Sequence, residues 1–149
     1  MLKETDGKQE HILVCLSSAP SNTKIIRTAA RMAEAFQGNL TALYVETPDF
    51  AVMEDANKKR LEANTHLAKS LGASIETVQG DDVPYQIAEF ARLSGVTKIV
   101  LGRSAASRHR IFRRPTLTDR LIASAPNVDI HIIPGMPGKA CLPLKLQTS

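Results

Sequence analysis

Aromatic residues are scarce in this chain: they make up 4% of its 149 residues, and tryptophan is absent. A protein that reads unpaired bases needs ring faces to stack them on, so this scarcity argues against a nucleic-acid platform. Cysteine is as sparse. Cys15 lies inside an apolar run and Cys141 near the end, neither in a C-x-x-C pair, and two such residues make no disulfide framework. Cys15 reads as a small buried hydrophobe in a reducing compartment. Long apolar runs are missing too: nothing approaches the roughly 18 consecutive apolar residues of a membrane span. The opening MLKETDGKQEH lacks the apolar core of a secretory leader. Nor does charge of one sign dominate, since a net +4 permits an anionic ligand or an acidic partner without requiring nucleic acid. The expectation is one cytosolic domain, long enough to bury its own core.

What is present is alternation. Short apolar runs at His11–Ser17, Leu40–Glu46, Ala73–Val78, Lys98–Leu101 and Val128–Ile133 predict strands, several of them apolar on both faces as covered parallel strands are. The third alternates more and suits an edge. Helices fall between them. Ser21 stands where it can cap the first, whose Ile25, Ile26, Ala29, Ala30, Ala33 and Phe36 share a face, with Gly38 closing it. A second runs from about Glu54 to Leu71 and stops at Gly72. Asp81 or Asp82 can cap the third, with Pro84 in its first turn and Ile87, Phe90 and Ala91 inward. Thr116 or Thr118 opens the fourth, which ends near Ser124, with Asp119 as a first-turn dipole partner.

The β-α order predicts an α/β domain: a five-stranded parallel sheet, strand order 3-2-1-4-5, with helices on both faces. Ligands of such sheets bind beyond the carboxyl ends of the strands at the switch between strands one and four. The loops there are Ser17–Asn22 and Gly102–Pro115. The second carries Arg103, Arg108, Arg110, Arg113 and Arg114 with no acidic residue among them. Guanidinium forks in such a loop serve anion binding or the docking of an acidic surface, and a solvated loop explains them as well. Ser17, Ser18, Ser21 and Asn22 can hydrogen-bond a ligand at the same crevice, or bond their own backbone in turns and caps. Neither the four histidines nor any serine has a partner at metal-ligand or triad spacing. Residues 1–10 read as a disordered segment, 11–135 as the domain and 136–149, with Gly138 and Pro143, as a linker or tail.

The stretches ILVCLSSAPSN, AARMA, LTALYVETP, GDDVPYQIAEFAR and LGRSAASR…LTDRL…VDIHIIPG resemble the universal stress protein family, whose fold is adenine nucleotide alpha hydrolase-like. Within it they are most similar to the domain of this kind in the KdpD family of potassium-responsive sensor histidine kinases. The resemblance runs from about His11 to Gly135. ATP-binding members carry G-x-x-G, nine residues, then G-[ST] after the fourth strand, and an Asp at the end of the first. Here Gly102 opens the frame, but Ala105 and Pro115 replace the later glycines, Pro115 offers no N–H, and Ser17 stands in the Asp position. These departures disfavour ATP. Some KdpD relatives bind cyclic di-AMP through a Ser-x-Ser loop followed by F-T-A-x-Y on the second strand. In this chain Ser17, Thr41, Ala42 and Tyr44 match, while Ala19 and Leu40 depart.

The resemblance thus implies a non-catalytic regulatory domain, a fragment or isolated piece of a kinase for potassium or osmotic two-component signalling. It would sense a ligand or dock another kinase domain or a cytosolic scaffold protein. The ligand residues it points to are Ser17, Ser18, Ser21, Thr41, Tyr44, Gly102, Arg103, Ser104, Arg113, Arg114 and Thr116, with no catalytic residue and no metal. The alternative is a stand-alone universal stress protein that binds ATP as a homodimer through its last strand.

Overall fold

The computed structural model describes residues 9–103 and 116–134. Along them run β1 (His11–Cys15), α1 (Asn22–Phe36), β2 (Asn39–Glu46), α2 (Asp55–Ser70), β3 (Ser74–Gln79), α3 (Val83–Ser94), β4 (Lys98–Gly102), α4 (Leu117–Ser124) and β5 (Asp129–Ile133). Every strand pairing is parallel and the order is β3-β2-β1-β4-β5, as the alternation requires. β1 lies at the centre, and its Ile12, Leu13 and Val14 are fully buried. β3 and β5 form the edges.

Because side chains alternate along a strand, each central strand feeds two cores. Ile12, Val14, Leu40, Ala42 and Val100 pack against Ile25, Ile26 and Ala29 of α1 and Leu61 and Ala68 of α2. On the opposite face Leu13, Leu43, Ile99 and Leu101 meet Ile87 and Ala91 of α3 and Leu117 and Leu121 of α4. The register of β2 then separates two residues that the sequence grouped. Thr41 points to the α3/α4 layer together with Leu43, whereas Tyr44 follows Ala42 onto the α1/α2 layer.

Two helix starts carry the caps expected of them. Asp82 accepts from the Tyr85 N–H at 3.3 Å and caps α3. At α4 the Thr116 hydroxyl accepts from the Asp119 N–H at 3.0 Å, and the Asp119 carboxylate accepts from the Thr116 N–H at 3.1 Å. This reciprocal pair satisfies two otherwise unpaired donors. The start of α1 differs from expectation. Ser21 occupies the N-cap position but makes no capping bond, because its φ of −73° and ψ of −9° are already helical. A side chain caps from extended backbone, which aims its oxygen at the first-turn amides.

The end of α1 differs too. The left-handed residue is Gln37, at φ 55°, not Gly38. Gly38 is glycine for a different reason: a Cβ there would collide with the Glu10 carbonyl oxygen as the chain turns into β2. Phe36, expected inside, is 48% exposed, with Lys98 Nζ 4.9 Å from its ring centroid. A short 3-10 turn over Pro48–Val52, not anticipated, leads from β2 to α2.

Candidate functional site

Beyond Cys15 the chain leaves the sheet at the β1/β4 switch, and two buried asparagines fix its path. Asn22, 3% exposed, accepts from the Ser17 N–H at 3.1 Å and donates to the Cys15 carbonyl at 3.1 Å. Asn64 of α2, 4% exposed, donates to the Ser17 carbonyl at 2.8 Å and to the Ala19 carbonyl at 3.4 Å, and accepts from the Thr23 hydroxyl at 3.4 Å. Arg60 of the same helix donates to the Ser18 carbonyl at 3.1 Å while held by Asn57 at 2.9 Å. The Ser17 hydroxyl accepts from the Ala19 N–H at 3.2 Å, a local turn. A buried amide is stable only when its donors and acceptor are matched, and here the loop backbone matches them.

Beside this loop, between α2, the carboxyl half of β2 and β3, lies a cavity of about 590 Å³. Its apolar wall includes Leu16, Leu61 and Ile75, and its aromatic wall is Tyr44 and Phe50. Those two rings meet edge to face, with centroids 6.1 Å apart at 62°. Lys58 Nζ sits 5.3 Å from the Phe50 centroid, and Lys69 and His66 add further nitrogen groups to the rim. Burial, followed by the negative charge of Glu46, pushes the Tyr44 phenol above its ordinary value, so it stays a protonated donor at neutral pH. The cavity has a volume in the range of small-molecule sites and combines apolar walls with a few polar groups. Glu46 and Glu62 stand on the same lining as the two lysines, so the rim is of mixed charge, and the composition suits a flat heterocycle held by its ring faces.

The expected ligand residues divide among several places. Ser17, Ser18 and Ser21 share the β1–α1 loop. Gly102 ends β4, buried, and Arg103 follows it, exposed. Tyr44 lines the cavity. Thr41 is elsewhere: its hydroxyl lies 2.8 Å from His11 Nε2, toward the amino end of β2 and in the other layer. The Thr116 hydroxyl is engaged in the α4 cap. Ser104, Arg113 and Arg114, like Arg108, Arg110, Ala105 and Pro115, lie outside the described residues. Phe50, Lys58, Arg60 and Asn64 were not among the expected site residues. Asn64 left a trace in the sequence: it is a polar residue in register with Leu61 and Ala68 on the buried stripe of a helix. Cys15 offers no reactive group here, since burial pushes its thiol up to about 12 and keeps it neutral.

Comparison with known proteins places the chain. Sensor protein KdpD of Clostridium acetobutylicum is 38% identical over 127 residues, which cover 84% of this chain and 14% of that protein. The putative sensor protein KdpD of Synechocystis is 32% identical, covering 83% of this chain and 33% of its own length. Sensor protein KdpD of Escherichia coli is 32% identical, covering 81% of this chain and 13% of its own length. This is a universal stress protein-like domain of the KdpD family.

The KdpD-type domain therefore spans only a small part of these relatives. No family model matches it. Among solved structures, a universal stress protein in complex with cAMP superposes with a TM-score of 0.66 at 16% identity, covering 86% of this chain and 98% of that one. UspA from Lactobacillus plantarum gives 0.56 at 24% identity, covering 85% and 98%. The universal stress protein of Archaeoglobus fulgidus in complex with dAMP gives 0.55 at 19%, covering 85% and 98%. At these identities the likeness is one of fold. Among the described residues no helix is long and apolar enough to cross a membrane.

Proposed function

We propose that this domain is a non-catalytic, ligand-sensing module of a KdpD-type sensor histidine kinase in potassium or osmotic two-component signalling. The observation that carries the proposal is the 590 Å³ cavity in which Tyr44 and Phe50 face lysines 58 and 69 beside the β1–α1 loop. The ligand class is an adenine nucleotide. Two neighbours of the same fold are described with cAMP and dAMP, and the aromatic wall supplies a face for a base, with Lys58 and Lys69 on the rim beside Glu46 and Glu62. Cyclic di-AMP is favoured over ATP because Ala105 and Pro115 remove the glycines of the triphosphate loop. Tyr44 and the β1 loop would meet base and ribose, and arginines 103, 113 and 114 the phosphates. The output is a bias on how the domain docks to the rest of the kinase or to a scaffold, limited by the ligand's differential affinity for the two arrangements.

Titration calorimetry with cyclic di-AMP, cAMP and ATP tests this. The expected result is binding of cyclic di-AMP that weakens at least about tenfold in Tyr44→Leu, the scale of one lost aromatic contact. Undisturbed affinity in Tyr44→Leu rejects the cavity as the site, and tight ATP binding alone favours the stand-alone reading. One feature supports a dimer within either reading. β5 is a sheet edge with Ile132 43% exposed, and Ile122 on α4 is 56% exposed. A second copy pairing along β5 would cover this edge.

A further inference from the structure

Two flanks of α2 face different tasks. One lines the cavity over Tyr44 with Lys58, Leu61, Thr65, His66 and Lys69. The other supplies Arg60 and Asn64 to the carbonyls of Ser17, Ser18 and Ala19, three consecutive residues of the β1–α1 loop. Asn64 sits in the buried stripe between Leu61 and Ala68, where an apolar side chain would pack without any polar cost. Its amide is satisfied by the β1–α1 segment, with both donated bonds going to loop carbonyls and the accepted bond coming from Thr23.

We infer that α2 transmits occupancy of the Tyr44 cavity to the β1–α1 loop, with Asn64 and Arg60 as the positioning residues that carry the coupling. A body wedged between α2 and the sheet moves the helix outward. The loop then either follows or leaves the buried Asn64 amide without its acceptors, and an unpaired buried polar group is the costlier outcome. The linkage is reciprocal: whatever holds the loop in one shape changes cavity affinity by the same factor. The loop lies at the β1/β4 switch, so the device converts a binding event under α2 into a changed surface at the carboxyl end of the sheet. Its biological use rests on the cavity being the ligand site, as proposed above. The mechanical linkage does not depend on that reading and is testable without a nucleotide.

A tethered probe takes the ligand's place. In the full chain carrying Cys15→Ala and Cys141→Ser, a Thr77→Cys substitution puts a thiol on the cavity wall, and benzyl methanethiosulfonate attaches an aromatic group there. Hydrogen exchange is read at the Ser17 and Ala19 amides, both hydrogen-bonded within the loop. Labelling is expected to speed their exchange about tenfold, the scale of one or two lost hydrogen bonds. In Asn64→Leu and in Arg60→Met, labelling is expected to have a clearly smaller effect. Unchanged loop exchange on labelling, or an equal change in the variants, overturns the inference. Arg60→Met keeps the test intact where Asn64→Leu does not fold. Coupling by the tether in a protein that binds no nucleotide would reject the proposed function and leave this linkage standing.

Discussion

The imidazole of His11 and the hydroxyl of Thr41 lie 2.8 Å apart, across neighbouring strands, and the other ring nitrogen of His11 lies 3.0 Å from the Ser94 carbonyl. The Ser94 carbonyl can only accept, so Nδ1 donates to it, and the contact of Nε2 with the Thr41 hydroxyl makes the threonine a staple between β1 and β2. Thr41→Val keeps the shape and strands the ring nitrogen. It is expected to lower stability by about 1–2 kcal/mol, read as a lower urea midpoint at unchanged slope. Nucleotide affinity of the folded Thr41→Val protein should match the parent, in contrast to Tyr44→Leu. A binding defect confined to Thr41→Val would place the ligand in the wrong layer for the cavity described here.

Gly102 is the buried last residue of β4, and a Cβ on it would come within 2.5 Å of Ile25 Cδ1 of α1. Packing alone therefore accounts for this glycine, with no phosphate needed. Gly102→Ala is expected to cost about 1 kcal/mol or somewhat more, at the lower end of overpacking because the obstacle is the tip of a flexible side chain. Ile25→Val removes that tip, so the double variant should recover part of the loss. A thermal melt of the four proteins of this cycle decides the matter: purely additive losses would mean that the two groups do not meet.

The sequence made the sheet order and most elements legible because β1, β2 and β4 are short apolar runs, as strands covered on both faces require, and α1 keeps a clean 3.6-residue period. Boundaries moved by one or two residues where hydrogen bonding and apolar character part company, as at Ser17, which the strand run included although β1 stops at Cys15. The site was less legible. Tyr44 could be named from its resemblance to a motif, and Thr41 followed it into that list, because a motif does not display which face of a strand a residue takes. Arg60 was invisible as a site residue for another reason, and Asn64 showed only as a polar residue on an apolar stripe, with nothing to name its partner. Their partners are backbone carbonyls some 40 positions away in the chain, separations of 42 and 47 residues, and a sequence offers no periodic trace of such a contact.

Acid stability should report two ion pairs whose carboxylates are exposed. The hydrogen bond from Arg120, helped by the Tyr85 amide and opposed by slight desolvation, holds the Asp82 carboxyl below its ordinary 3.8. Lys98, at 2.8 Å, does the same for Asp129. A carboxyl lowered by folding contributes stability above its unfolded value and loses it as pH falls through the folded value. Asp82→Asn and Asp129→Asn should therefore lower the urea midpoint at neutral pH and match the parent near about pH 2. Both pairs are solvent-screened, so each difference should stay within about 0.2–1 kcal/mol. Lys98 works in the other direction: Asp129 raises it above its ordinary 10.5, so its contribution persists below that value and fades only in strong alkali.

Asn22 gives the sharpest test of how the β1–α1 loop is held, because one atom can be changed with almost no change in volume. Its Nδ2 donates to the Cys15 carbonyl at 3.1 Å, and its Oδ1 accepts from the Ser17 N–H. Asn22→Asp keeps the accepting oxygen and sets a second oxygen against a carbonyl that needs a donor. The side chain is 3% exposed, so water cannot easily repair the mismatch. The expected cost is about 1–3 kcal/mol at neutral pH, and it should shrink on acidification as the new carboxyl takes up a proton and can donate again. Asn22→Ala loses both bonds and the buried volume, and its cost should not share that pH dependence. Equal urea midpoints for Asn22→Asp and the parent at pH 7 would mean that the loop is not held by this amide.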